Sequence, residues 1–375
     1  MTDGTVVAQL PLLSRIYHGA SIAAVQGFMA SMRIYEQWHS WYYATDLNPP
    51  SIVKTYECRP SLPIRTFFPE SYDQTAPQTL PMLFSIHGGG FCIGDPQDDD
   101  AWNVSFANAH DILVVALNYR KAPFYPFPTA IHDLEALMLA VYDDESLPIN
   151  KSRIAVGGFS AGGNLTLSVC QLPSIREKVK PTAALSIYSV VDQSIPSEEK
   201  VKMRYYKPNL GPGLRSSPTD FLARFAPTFT WSYVPVGEDL QNPLVSPSFA
   251  PPETLPLYIF ILAAELDQLA PEAWRMASKW AGRPVPPLTE KVGQEQPASE
   301  KGGLVLDDER FVFEHIGGDG KSSVRWLLVP DQLHGFDHLP PHVHGSEEAF
   351  QDAQLKTKKY QELLGDWLHK VVWKA

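Results

Sequence analysis

The segment Ile154-Ala155-Val156-Gly157-Gly158-Phe159-Ser160-Ala161-Gly162 constrains this chain more than any other. An apolar run of strand type meets a turn of the form G-x-S-x-G, and a helical stretch follows from Ala161. Such a turn is tight enough to require small residues on either side of the serine, and it pushes the hydroxyl clear of the backbone. A chance glycine-serine turn is the bland alternative, but a strand before it and a helix after it make chance a poorer account. The unit therefore predicts a strand–turn–helix at the carboxyl end of a sheet, and a serine placed to meet a carbonyl carbon. Such a serine needs a base, an acid and a group of hydrogen-bond donors, each of which can be sought elsewhere.

The apolar pattern extends the unit into a fold. Strands are expected at Ile64–Phe68, Met82–Ile86, Leu113–Asn118, Ile154–Gly157, Ala184–Tyr188, Leu257–Ala263 and Arg325–Val329. Several are apolar at every position, as strands covered on both faces are. Helices are expected at Thr129–Asp143, Leu165–Val169 and Pro271–Trp280. A last helix would carry Tyr360, Leu364, Trp367, Leu368 and Val371 on one face. Alternating strands and helices give an α/β fold, a mostly parallel central sheet with helices on both faces. Two stretches break the alternation. Residues 191–250 are rich in aromatics, proline and serine, read equally as a lid or as core filling. Residues 283–323, rich in proline, glycine and charge, are expected to be a surface insertion, partly disordered or a hairpin.

Composition narrows the partners. With 375 residues, 44% of them hydrophobic, and a net charge of −11, the chain can bury a large core. It offers little to nucleic acid or an anionic membrane. Cys58, Cys92 and Cys170 form neither a disulfide framework nor a zinc-type spacing, and read as free thiols. Met1–Leu10 lacks the pattern of a signal peptide. Ile16–Met32 is too short and polar to span a bilayer, and is expected to be an amphipathic helix. The expectation is a soluble, cytoplasmic protein without stable membrane insertion.

The partners of the serine have candidates. His87-Gly88-Gly89-Gly90-Phe91 follows the apolar run Leu83–Ile86. Its glycines allow backbone N–H groups to approach a substrate oxygen, so the amides of Gly89 and Gly90, with that of Ala161, are the expected oxyanion donors. His87 itself is expected to brace the loop. No Lys-Ser or Lys-Thr follows the glycines, which argues against a phosphate loop. His334, beyond the run Trp326–Val329, is the expected base. His338, His342 and His344 follow it. A metal cluster of the four is disfavoured because Pro340-Pro341 breaks any helix that would align them, and the last three are read as surface histidines. Asp267 and Glu265 both follow the run Leu257–Leu262 and compete for the acid. Position alone barely separates them.

Together these residues resemble the hormone-sensitive-lipase-like branch of the α/β-hydrolases, from about Pro81 to the C-terminus. His87–Gly90 is similar to its H-G-G-G, and Gly158–Leu165 to its G-D-S-A-G-G-N-L, with Phe159 in place of Asp. Asn118–Pro123 resembles D-Y-R-L-A-P, continued by Phe127-Pro128 and Asp133, but Lys121 and Phe124 depart from it. Asn242–Pro247 resembles a segment before the acid. Asp267-Gln268-Leu269 resembles its D-x-L and His334-Gly335-Phe336 its H-G-F, which favours Asp267 over Glu265. The resemblance implies a single α/β-hydrolase domain over 1–375, with a helical cap from residues 1–45 and 195–232. It implies a carboxylesterase acting through Ser160, His334 and Asp267 on a small-molecule ester, with no metal or cofactor. Homodimers are common in that family. Phe91, Phe159, Phe229 and Trp231 are expected to line the substrate pocket. The aromatic lid also admits a tailoring hydrolase of natural-product biosynthesis: a deacetylase, lactonase, thioesterase or cyclisation catalyst. A hormone receptor on the same scaffold is the alternative of another class. The gibberellin receptors that resemble this family lack the histidine, whereas His334 is present here.

Overall fold

The computed structural model describes residues 5–43, 48–298, 300–318 and 320–374. The helices are α1 (Leu12–Tyr43), α2 (Asp100–His110), α3 (Thr129–Tyr142), α4 (Ala161–Cys170), α5 (Ser197–Lys202), α6 (Ala226–Tyr233), α7 (Ala270–Trp280) and α8 (Glu347–Trp367). The strands are β1 (Ile52–Lys54), β2 (Ile64–Phe67), β3 (Leu80–Ile86), β4 (Leu113–Leu117), β5 (Ile149–Phe159), β6 (Ala183–Ile187), β7 (Tyr258–Ala264), β8 (Val312–Ile316) and β9 (Ser323–Val329).

One sheet takes all nine strands in the order β1-β2-β4-β3-β5-β6-β7-β9-β8. β4, β3, β5, β6, β7 and β9 run parallel, while β1, β2 and β8 join antiparallel at the two edges. β4 and β6 are buried at every position; β4 is apolar throughout and β6 apolar but for Ser186. One face packs on Leu134, Leu137 and Met138 of α3 and Leu165 and Val169 of α4. The other packs on Phe106 of α2 and Tyr360, Leu364 and Trp367 of α8.

The expected strands are all present within a few residues. β1 and α2 have no counterpart among the expected elements, and β8 answers to the hairpin allowed for residues 283–323. β1 and β8 are short edge strands with solvent on one side, so they lack the continuous apolar run. Residues 283–323 are not a surface appendage. Val292 and Phe311 are buried, and β8 pairs with β9 as a hairpin that closes the sheet. Ser299 and Asp319 of that stretch lie outside the described residues, as do residues 1–4, 44 and 45 of the expected N-terminal cap segment. Among the described residues, no helix is long and apolar enough to cross a membrane.

Candidate active site

Ser160 stands between β5 and α4 with φ +55° and ψ −117°, a strained conformation for a residue with a side chain. Neighbouring glycines make the turn possible. A Cβ on Gly162 would stand 2.0 Å from the carbonyl oxygen of Ile86, and one on Gly163 1.8 Å from Ser189 Oγ. The first turn of α4 can therefore press against β3 and the end of β6. The Asn242–Pro247 segment is held by α4: Asn164 Nδ2 donates to Val245 O (2.9 Å), and Gln171 Nε2 to Pro243 O (2.9 Å).

Loops from three strand ends meet at Ser160. His334, beyond β9, places Nε2 2.8 Å from Ser160 Oγ. Its Nδ1–H donates to Asp267 Oδ2, beyond β7, at 2.6 Å. Asp267 is fully buried and its other oxygen accepts from Leu269 N. Burial pulls the His334 pKa down, but the charge and hydrogen bond of Asp267, with Asp220 and Asp337 further off, outweigh it and leave it above the ordinary histidine value. Such a line can take a proton from a hydroxyl and keep the resulting imidazolium stable.

The glycine loop faces the same point. Gly89 and Gly90 adopt φ +104° and +58°, and a Cβ on Gly90 would stand 2.3 Å from the Phe229 ring. Among the described residues the amides of Gly89, Gly90 and Ala161 have no hydrogen-bond partner. His87 braces this loop. Its Nδ1–H donates to Gly88 O (2.8 Å), and its Nε2 accepts from Lys121 Nζ (3.0 Å). Burial, then the Lys121 charge, keep His87 neutral by lowering its pKa well below the usual value. Lys121, where the family pattern has leucine, is thus a buried brace, its own pKa drawn down by burial to about 7. Phe124 is exposed, and Arg120 pairs with Asp133 at 2.7 Å.

Above Ser160 lies a cavity of about 660 Å³. Ser160, Ala161 and Gly90 line its floor. Phe91, Phe229, Trp231, Val190, Ile195 and Leu240 line its walls, and Val6–Leu10 its mouth. α1 roofs it: His18 Nδ1 pairs with Thr228 Oγ1 (2.9 Å) and its ring stacks on Trp231. Phe159 is a correction. It faces away from the cavity, buried against Trp102, Tyr188 and His338, because successive residues at the end of a strand point to opposite faces and Ser160 takes the face of the cavity.

Two of the three histidines read as surface residues are not. His344 is 1% exposed. His338 lies under Phe159, with Nδ1 3.0 Å from Asp337 Oδ1 and Nε2 3.2 Å from Asp99 Oδ1. Burial lowers its pKa, but Asp337 and Asp99 raise it to about 9, which favours a partly buried cation held between two carboxylates. Tyr188 bridges this pair to His334: its hydroxyl donates to Asp337 Oδ1 (2.7 Å), and its ring meets the imidazole edge-on.

Glu265 is not beside His334. Its Oε2 accepts from Lys207 Nζ at 2.7 Å, and Lys207 also donates to Asp331 Oδ1 at 2.7 Å, all within the core. Lys207 belongs to the strap between α5 and α6, which holds both loops of the site. From the same strap Arg204 donates to Leu266 O (2.7 Å), and Asp220 accepts from Gln268 N (2.7 Å). Burial, then the charge of Asp267, raise the Asp220 pKa to about 6. The sequence reading missed Lys207, Arg204 and Asp220, since isolated charges in an aromatic stretch carry no local signal.

Comparison with known proteins agrees with this fold. A family model described as alpha/beta hydrolase fold matches residues 83–293. The chain belongs to the hormone-sensitive-lipase-like, carboxylesterase branch of the α/β-hydrolases. It is 30% identical over 236 residues to an arylesterase of Saccharolobus solfataricus, covering 62% of this chain and 70% of the relative. It is 33% identical over 147 residues to an arylacetamide deacetylase of Oryctolagus cuniculus, covering 36% of each chain. A solved Pyrobaculum calidifontis esterase shares the fold, with a TM-score of 0.63 at 19% identity over 96% of this chain and 98% of that one.

Proposed function

We propose that this chain is a serine hydrolase that cleaves carboxylic esters through an acyl-enzyme intermediate. The observation that carries the reading is the unbroken line Ser160 Oγ, His334 Nε2, His334 Nδ1, Asp267 Oδ2, with bonds of 2.8 and 2.6 Å. Its foot lies in the cavity beside three unpartnered amides. Ser160 Oγ attacks the ester carbonyl carbon as its proton passes to His334 Nε2. Asp267 holds the Nδ1–H tautomer and stabilises the imidazolium. The carbonyl oxygen becomes an oxyanion received by the amides of Gly89, Gly90 and Ala161. When the tetrahedral adduct collapses, the alkoxide leaves with the proton from His334. Water repeats the sequence on the acyl-enzyme and restores Ser160.

The cavity points to esters with a bulky apolar part. About 660 Å³ walled by Phe91, Phe229 and Trp231 exceeds what an acetyl group fills, and falls within the range of drug-sized ligands. This supports an arene or ring-bearing ester, and keeps a tailoring hydrolase on a large natural product as a second reading. The hydrogen bond from Ser160 to His334 speaks against a receptor. The test is hydrolysis of p-nitrophenyl acetate, butyrate and an aryl ester by wild type, Ser160→Ala and His334→Ala. Wild-type turnover abolished by both substitutions is expected. Turnover surviving Ser160→Ala refutes the mechanism.

A further inference from the structure

Gln193 stands in the wall of the cavity above Ser160, on the loop that leaves β6. Its place is fixed at both ends. The backbone N–H donates to Ser246 Oγ at 2.8 Å, and that buried hydroxyl donates on to Leu240 O. The side-chain oxygen Oε1 accepts from Thr230 Oγ1 at 2.9 Å. Thr230 lies on α6 between Phe229, whose ring packs on Gly90, and Trp231. The carboxamide is therefore held against the aromatic wall, close to the glycine loop.

Its nitrogen is left over. Nε2 carries two N–H donors, and no residue among those described accepts from it. Thr230 Oγ1 has no other partner among the described residues, so its proton goes to Oε1 and the NH2 is what faces the cavity. Gln193 is 8% exposed, and Nε2 is within the part that stays open. Gln268, beside Asp267, has a similar arrangement. Its Oε1 accepts from Ser197 Oγ (2.9 Å) and its Nε2 has no partner, but that nitrogen is covered. Gln193 is the carboxamide that a ligand can reach.

An unpaired donor in an apolar wall is unfavourable once the cavity is filled. A ligand made only of hydrocarbon would strip water from Nε2 and return no acceptor. Leucine or methionine would complete the wall without that penalty. The donors become favourable when the ligand brings an oxygen with it. The surrounding charges narrow what that oxygen is. Lys200 also lines the cavity, but its ammonium is paired with Glu272 and donates to Asp192 O at 2.6 Å. Arg15 and Glu198, opposite in charge, line it from exposed positions, where solvent screens them. The buried cation of the wall is thus already neutralised, and a neutral oxygen suits Gln193 better than a carboxylate.

We propose that Gln193 is a specificity-determining residue whose Nε2 donates to a second, neutral carbonyl oxygen of the substrate, apart from the ester that Ser160 attacks. The substrate class is an aryl-bearing ester that also carries a ketone, lactone or amide carbonyl. Its ring lies against Phe229 and Trp231, and the second carbonyl meets Gln193. This rests on the hydrolase reading and adds to it which esters the cavity prefers.

The test compares p-nitrophenyl esters of arylpropionic acids whose ring carries an acetyl, a hydroxyethyl or an ethyl group, in a para and a meta series. The methylenes between ring and ester keep the intrinsic reactivity alike, so differences in kcat/KM report binding. Wild type is expected to favour acetyl over ethyl by about 10–100-fold in at least one series, the effect of pairing a donor that is otherwise left without an acceptor. Gln193→Met keeps the volume and removes the donors, and is expected to bring that ratio to near one. Gln193→Glu, whose carboxylate only accepts, is expected to turn the ratio below one. The ratio is the readout, because a merely structural role for Gln193 would change every rate together and leave the ratio as in wild type. That outcome overturns the proposal. So does a wild-type ratio near one in both series. A wild type that favours hydroxyethyl but not acetyl places the amide oxygen toward the cavity and overturns it as well. p-Nitrophenyl butyrate is assayed alongside. Turnover of butyrate without a preference for acetyl removes this proposal and leaves the hydrolase reading, whereas no turnover of any ester removes both.

Discussion

Replacing Lys207 by methionine tests how the site is held. The ammonium is fully buried and lies 2.7 Å from both Glu265 Oε2 and Asp331 Oδ1. The carboxylates also accept from the amides of Gln294 and Ala298, and Glu265 Oε2 from that of Asp331. Methionine fills the space but leaves two buried carboxylates facing each other without a cation. Removing one partner of a buried ion pair costs about 3–5 kcal/mol. With roughly 2.1 cal/mol/K of unfolding entropy per residue over 375 residues, that lowers Tm by about 5 °C. The loss also has a sign in pH. Burial raises the Glu265 pKa, and Lys207 is the charge that opposes the rise. Without it, the folded-state pKa climbs further above the unfolded value. Folding then favours the protonated acid, and the deficit is largest at pH values above that raised pKa. Calorimetry at about pH 8 and about pH 5.5 should find the larger Tm deficit at pH 8. Glu265 is two residues from Asp267 and Asp331 three from His334, so a slackened cluster should also lower kcat by about 10–100-fold. An unchanged Tm, or a deficit equal at both pH values, would refute this account of the cluster.

Other expectations bear on the site directly. Asp267→Asn should lower kcat by about 10⁴ by favouring the wrong His334 tautomer, measured as ester hydrolysis. Glu265→Gln should act mainly on Tm. Gly90→Ala sets a Cβ against the Phe229 ring at φ +58°, and should cost about 10² in kcat through the displaced amide, with intact folding by circular dichroism. His334 must be neutral to accept the Ser160 proton, and its pKa is raised. kcat/KM should therefore climb with pH through a midpoint above 6.5. Asp220→Asn removes one of the charges that raise it, so the midpoint should move to lower pH; an unmoved midpoint would show that Asp220 does not act on His334.

The sequence reading went furthest where the physics is local. β4, apolar at every position, and β6, apolar but for Ser186, fit only inside a covered sheet, and the G-x-S-x-G spacing marks the turn at Ser160 by itself. His334 and Asp267 were legible because each follows an apolar run and carries a short motif. Glu265 follows the same run, and only its partner Lys207, 58 residues away, separates the two carboxylates in space.

What the chain alone determined was the sheet, the turn at Ser160, the glycine loop and the order of serine, acid and base. Each is a matter of periodicity, backbone freedom or neighbouring residues. Tertiary structure decided the rest. It turned Phe159 from the cavity into the core and set His338 between Asp337 and Asp99. It drew the stretch 283–323 into the sheet and placed Lys207, Arg204 and Asp220 behind the site. It also showed that apolar residues of α1, Leu13, Ile16 and Tyr17 among them, face outward. Burial and charge pairing depend on residues distant in sequence that meet only when the chain is folded, so no spacing along it announces them.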